Sequence, residues 1–162
     1  MAAPVDPSLP RRIALRLGRA VLIVIAVLAL LSVTETMPTT LGLNGGKLAP
    51  CPDSPNCVST LATDPRHANA PFALNRSQGA AKEELRQSAA KLPRARLVSE
   101  TDDYLHFEFR SLIFRFVDDV EFHLDTASKT IHGRSASRVG QSDFGVNRRR
   151  VESIRALLPE AM

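Results

Sequence analysis

The chain of 162 residues has no tryptophan, one tyrosine and two cysteines, and aromatic side chains make up only 5% of it. Each scarcity removes a class of function. Nucleic-acid surfaces need clustered, uncompensated cations and usually stack bases on aromatic rings. Here the main basic run is Arg148, Arg149 and Arg150, and no tryptophan stands beside it. The net charge of +4 is also misleading, because four arginines and Asp6 fall within residues 1–34, which leaves 17 basic against 16 acidic side chains in the rest. Nucleic acid is not an expected partner.

Several sequence patterns of catalysis are missing as well. There is no Gly-x-Ser-x-Gly, no His-Glu-x-x-His and no glycine-rich phosphate cradle. Structural zinc takes four ligands, and only His67 lies near Cys51 and Cys57. The stretch Cys51-Pro-Asp-Ser-Pro-Asn-Cys57 is too wide for the Cys-x-x-Cys of redox catalysis. What remains is a disulfide, if the compartment is oxidising, or a pair of reduced thiols; the closed loop would contribute roughly 2 kcal/mol. No cofactor and no metal is called for.

What the chain does have is a run of fourteen small or apolar residues, Ala20 to Val33, with Arg11, Arg12, Arg16 and Arg19 before it. The run alone is shorter than the roughly 20 residues that span a bilayer. Counted from Ile13 the segment is long enough, since Arg16 and Arg19 can extend their charged ends to the headgroups. A cleaved signal peptide is the competing reading, but Thr34, Glu35, Thr36, Met37 and Pro38 offer no clean small-residue cleavage pattern. The expectation is a basic cytoplasmic end over 1–12, an anchor or signal peptide over 13–34, a tether over 35–49 and one exported, periplasmic or equivalent domain over 50–162. Basic residues before the span fix that orientation.

Within the domain, Ala81, Leu85, Ala89 and Leu92 recur at helical spacing between a cap at Asn75 or Ser77 and Pro93. Strands follow at Leu97–Glu100, Tyr104–Arg110, Arg115–Leu124 and Thr130–Arg138, where apolar and polar residues alternate. Their short connections predict an antiparallel meander. A second helix, capped by Ser142 or Asp143, carries Phe144, Asn147, Val151, Ile154 and Leu158 on one stripe. The fold class is therefore α+β: a four-stranded antiparallel sheet packed with two helices, preceded by a single-span membrane helix. The second sheet face, with His106, Glu108, Arg110, Asp119, Glu121, His123, His132, Arg134 and Arg138, reads as a solvated ladder of ion pairs.

Three stretches carry a resemblance. Cys51-Pro-Asp-Ser-Pro-Asn-Cys-Val-Ser59, Phe114 to Phe122 continuing at Arg134-Ser-Ala-Ser-Arg-Val-Gly140, and the tail Ser142-Asp143, Gly145, Asn147 to Glu152 are similar to domain of unknown function 1499, over nearly all of residues 50–156. That resemblance implies no established activity or cofactor. Gly133 departs from it, since a larger residue is expected there.

Three candidate sites follow from these residues. Asp118 falls on the apolar face of its strand, where a carboxylate must be paired or neutralised, and Arg138 or Arg148 are the expected partners unless a bulge turns it outward. Arg134, Ser135, Ser137 and Arg138, with Asp143, Asn147 and Arg148 at the next helix, form a candidate site for an anionic or lipid-like ligand, although Asp143 competes for the helix terminus. His106, His123 and His132, on one sheet face near Asp119, could serve as acid, base or metal ligands. The leading expectation is a membrane-anchored binding or structural module; the alternative is a small hydrolase-like enzyme using Asp118, Asp119 and the His/Arg surface.

Overall fold

The computed structural model describes residues 9–33 and 36–159. It is an α+β protein. Helix α1 spans Leu9–Val33, and its apolar side chains from Ile13 to Val27 are largely exposed. Among the described residues no helix is long and apolar enough to cross a membrane. The single-span helix expected from the sequence is thus not found as such. Four arginines occupy the first half of α1 and leave fourteen residues uncharged, about 21 Å of helix against a hydrocarbon core of about 30 Å.

The sheet has six strands rather than four: β1 (Cys57–Ser59), β2 (Phe72–Ala73), β3 (Ala95–Glu100), β4 (Tyr104–Arg110), β5 (Val117–Asp125) and β6 (Thr130–Ser137). Strands β3 to β6 form the expected antiparallel meander, in the order β1-β6-β5-β4-β3. The two additional strands both add to the free edge of β6. Strand β1 pairs with Arg134 to Ala136, and β2 with Thr130 and Ile131. With three and two residues both are too short to show a period of their own.

Helix α2 (Gln78–Ala90) is capped by Ser77, whose hydroxyl accepts from the Ala80 N–H, and buries Ala81, Leu85, Ser88 and Ala89. Helix α3 (Val146–Leu157) buries Asn147, Val151 and Ile154. Both pack on the face made by Leu105, Phe107, Phe109, Val120, Phe122, Leu124 and Ile131. Ser88 Oγ donates to the Leu157 carbonyl at 3.2 Å and ties the helices together. Gly133 has a packing reason. A Cβ there would lie 3.3 Å from the rings of both Phe72 and Phe122, which meet edge to face at 5.8 Å.

The second face is not a solvated ladder. His106, Glu108, Asp119, Glu121 and Arg134 are all buried on it, and the segment expected to be a tether lies against it. The Gly42 N–H donates to Glu121 Oε1 at 2.8 Å, and Leu48 is buried. Deprived of water, the charges of this face satisfy one another. Glu121 accepts from Tyr104 Oη (2.8 Å) and Arg134 Nη1 (2.9 Å). Arg138 holds both oxygens of Asp119 at 2.7 and 2.8 Å and Glu108 at 2.6 Å. Arg96 and Arg110 close on the far oxygen of Glu108.

Candidate functional site

The chemistry-bearing residues gather where β6 turns into α3. Strand β6 ends at Ser137, the chain turns at Gly140 with φ +90°, and α3 begins after Gly145 at φ +76°. The Asp143 carboxylate accepts the N–H of Gly145 at 2.9 Å and of Asn147 at 2.7 Å, so Asp143 itself occupies the first turn of α3.

Asn147 is fully buried and uses all four of its hydrogen-bonding positions within the protein. Its Oδ1 accepts from Ser135 Oγ (2.5 Å) and Arg150 Nη1 (2.7 Å). Its Nδ2 donates to the Asn56 carbonyl and to Ser137 Oγ, each at 2.9 Å. Asn56 answers from the cysteine loop, donating from Nδ2 to the Gly140 carbonyl at 2.6 Å. That loop is closed by a disulfide between Cys51 and Cys57, which removes both thiolates from any metal site. The oxidised pairing is one of the two outcomes the spacing left open.

Asp118 is on the apolar face, as the alternation of β5 predicts, with Phe109 and Ser137 as its cross-strand neighbours. Its partner is neither Arg138 nor Arg148. Arg150 Nη2 lies 2.6 Å from Asp118 Oδ2, and the Arg150 guanidinium stacks over the Phe109 ring at 4.7 Å. Arg138 is committed to Asp119 and Glu108 on the opposite face, and Arg148 donates to the carbonyls of Ala68 and Arg66. Strand alternation fixes which face a residue takes, but not which turn of a distant helix lies over it.

Above this ion pair opens a cleft of about 730 Å³. The β4–β5 loop supplies Phe114 and Phe116, stacked at 5.6 Å, to one wall, and Val139, Phe144 and Val146 form the other. Asp118, Ser137 and Asp143 bring polar atoms to it. A second cleft of about 360 Å³ shares Ser111, Asp118 and Val146 and is lined by Arg94, Arg110, Arg149 and Arg150. Phe144 does not join the buried stripe of α3 expected for it; it precedes the helix, with φ +52°. The lining aromatics escaped notice because Phe116 reads as a core position of the strand, which in fact starts one residue later.

The structure thus brings Asp118, Ser137 and Asp143 to one cleft and places Ser135 and Asn147 behind them. Arg134 and Arg138 belong to the other face, and Arg148 to the loop at 66–68. Nor does the hydrolase arrangement assemble: neighbours Asp118 and Asp119 point to opposite faces. The Asp119 carboxylate can only accept, which puts the proton of the 2.7 Å contact on His106 Nε2. Burial would raise the Asp119 carboxyl, but hydrogen bonds and charge from Arg138 and His106 outweigh it and hold it below the ordinary range. Bonding to Asp119 raises the Arg138 guanidinium in turn. His123 and His132 stack at 6.2 Å, away from both aspartates, and burial followed by the charge of His123 lowers His132. Among the described residues no three His, Cys, Asp or Glu side chains are placed to hold a metal ion.

Residues 47–158 match the family model described as protein of unknown function (DUF1499), and the chain belongs to that family. No curated protein and no solved structure matches it.

Proposed function

We propose that the protein is a membrane-associated binding module, held at the envelope by α1, whose cleft between the β4–β5 and β6–α3 loops takes a lipid-like molecule. One observation carries this reading: an open, largely apolar cleft of about 730 Å³, walled by Phe114, Phe116, Val139 and Phe144, with the Asp118–Arg150 pair at its polar end. Apolar walls with a few convergent polar groups are the usual make-up of a small-molecule site. An acyl chain would lie along the phenylalanines, and the neighbouring arginines of the second cleft would meet an anionic head. The uncharged half of α1, preceded by arginines, supports attachment to a membrane even where its length falls short of a full crossing.

The test is titration of the full chain, held in amphipol, with the fluorescent fatty acid cis-parinaric acid and competition by lysophosphatidylglycerol. Val139 lies at the surface of the cleft wall, so Val139→Asp changes the cleft and not the core. The expected result is saturable, displaceable binding that weakens at least tenfold in Val139→Asp at unchanged melting temperature. Equal binding by both chains would refute the reading. Carbonate washing of membranes from expressing cells tests the attachment: the chain should remain in the pellet, and its release would separate the module from the membrane.

A further inference from the structure

We propose that the rim of this cleft docks onto a bilayer containing anionic phospholipid, with Leu112, Ile113 and Phe144 entering the boundary between headgroups and acyl chains. Phe144 is 87% exposed, Leu112 74% and Ile113 59%. A lone exposed apolar residue is ordinary, but a cluster marks a contact surface. These three occupy the tips of two loops whose inner residues face each other across the cleft.

The tips are held outward. Phe144 and Arg115 have φ of +52° and +57°, a conformation unfavourable for bulky residues and kept only where surroundings impose it. Arg149 Nη1 donates to the Phe144 carbonyl at 2.9 Å, and Ser111 Oγ accepts from the Phe116 N–H at 2.9 Å. The fold keeps the Phe144 side chain in solvent.

Charge selects the occupant. Arg94, Arg115 and Arg149 are exposed at this end of the sheet. Its carboxylates are already engaged, Asp118 with Arg150 and Asp143 with the backbone of α3. Apolar tips inside a cationic ring suit a surface of lipid phosphates. Reach agrees with this. Gly42 is fixed to Glu121, and nine residues beyond Val33 span at most about 30 Å, so a domain tethered by α1 stays beside the membrane that holds α1. The inference rests on the cleft reading for the molecule it would deliver, but on rim residues for its own support.

The chain has no tryptophan, so one introduced indole reports alone. Full-length Ile113→Trp is reconstituted into phosphatidylcholine vesicles with about 30% phosphatidylglycerol, with and without brominated acyl chains. Ala127→Trp, exposed in the β5–β6 turn at the opposite end of the sheet, is the control. The expected result is a blue-shifted Ile113→Trp emission that brominated lipid quenches at least twofold, with Ala127→Trp unquenched. Quenching should weaken in pure phosphatidylcholine or about 1 M salt. Ile113→Trp as unquenched as the control would overturn the proposal. So would a blue shift without quenching that grows with protein density, which would mean that a second copy covers the rim. Parinaric acid binding with an unquenched Ile113→Trp would keep the cleft reading and discard this one.

Discussion

Asn147 shows at a single residue why the β6–α3 junction is built as it is. Four hydrogen bonds converge on one buried amide, from β6, from the cysteine loop and from Arg150. Asn147→Ala strands a buried hydroxyl, a carbonyl and part of a guanidinium, and each unsatisfied group costs about 1–3 kcal/mol. We expect a loss of about 2–4 kcal/mol in urea unfolding; a loss under about 1 kcal/mol would mean that water replaces the amide. Gly133 makes the opposite case, a position where nothing is to be added. Gly133→Ala pushes a methyl against Phe72 and Phe122 and should cost about 1 kcal/mol or more, read from the same unfolding curves. Both residues stand out in the sequence, Asn147 as a polar member of an apolar stripe and Gly133 as a departure from the family pattern. Their partners do not, because Asn56 and Phe72 are ninety-one and sixty-one residues away along the chain.

Elements with a period were legible. Helices α2 and α3 and strands β3 to β6 announce themselves by spacing of 3.6 or 2, and their caps and turns follow. Strands β1 and β2 have no room for a period; outside contacts place them. The disulfide closes the approach to β1, the Asn56 amide anchors it to Gly140, and Arg155 stacks on Phe72 of β2 at 3.9 Å. It follows that β1 depends on the crosslink more than the meander does. Reducing the disulfide, or replacing both cysteines by serine, should lower stability by about 2 kcal/mol, the entropy of freeing so short a loop. Amide exchange should rise first in residues 57–59 and remain slow in β4 and β5. Uniform acceleration across the sheet would show that the loop and the meander unfold as one unit.

At the scale of the whole molecule, the feature least visible in the sequence is the cover on the second sheet face. Alternating His106, Glu108, Asp119, Glu121 and Arg134 look the same whether water or protein lies over them. At Glu121 the difference is made by Gly42, seventy-nine positions away, whose N–H it accepts. Burial turns the ladder into a charge network, and the network gives stability a pH dependence of definite sign. Burial would raise the carboxyls of Glu108 and Asp119, but Arg96 and Arg138 at the first and Arg138 and His106 at the second hold both below their ordinary values of 4.5 and 3.8. A group with a depressed folded value contributes fully above its unfolded value and loses that contribution as pH falls through the folded one. The part of stability that these two carboxylates supply, read from the melting temperature, should therefore be constant above about pH 5 and drop steadily toward pH 3, apart from an earlier fall below about pH 6.5 from the lowered His132. Arg138→Met should flatten the slope. Glu108 keeps Arg96 and Arg110, but Asp119 keeps only His106, so burial moves the Asp119 carboxyl back up and less of its contribution is left to lose in acid, while the substitution costs about 3–5 kcal/mol at neutral pH. A variant with the same acid slope as the parent would show that the Arg138 guanidinium is not what holds the Asp119 carboxyl down.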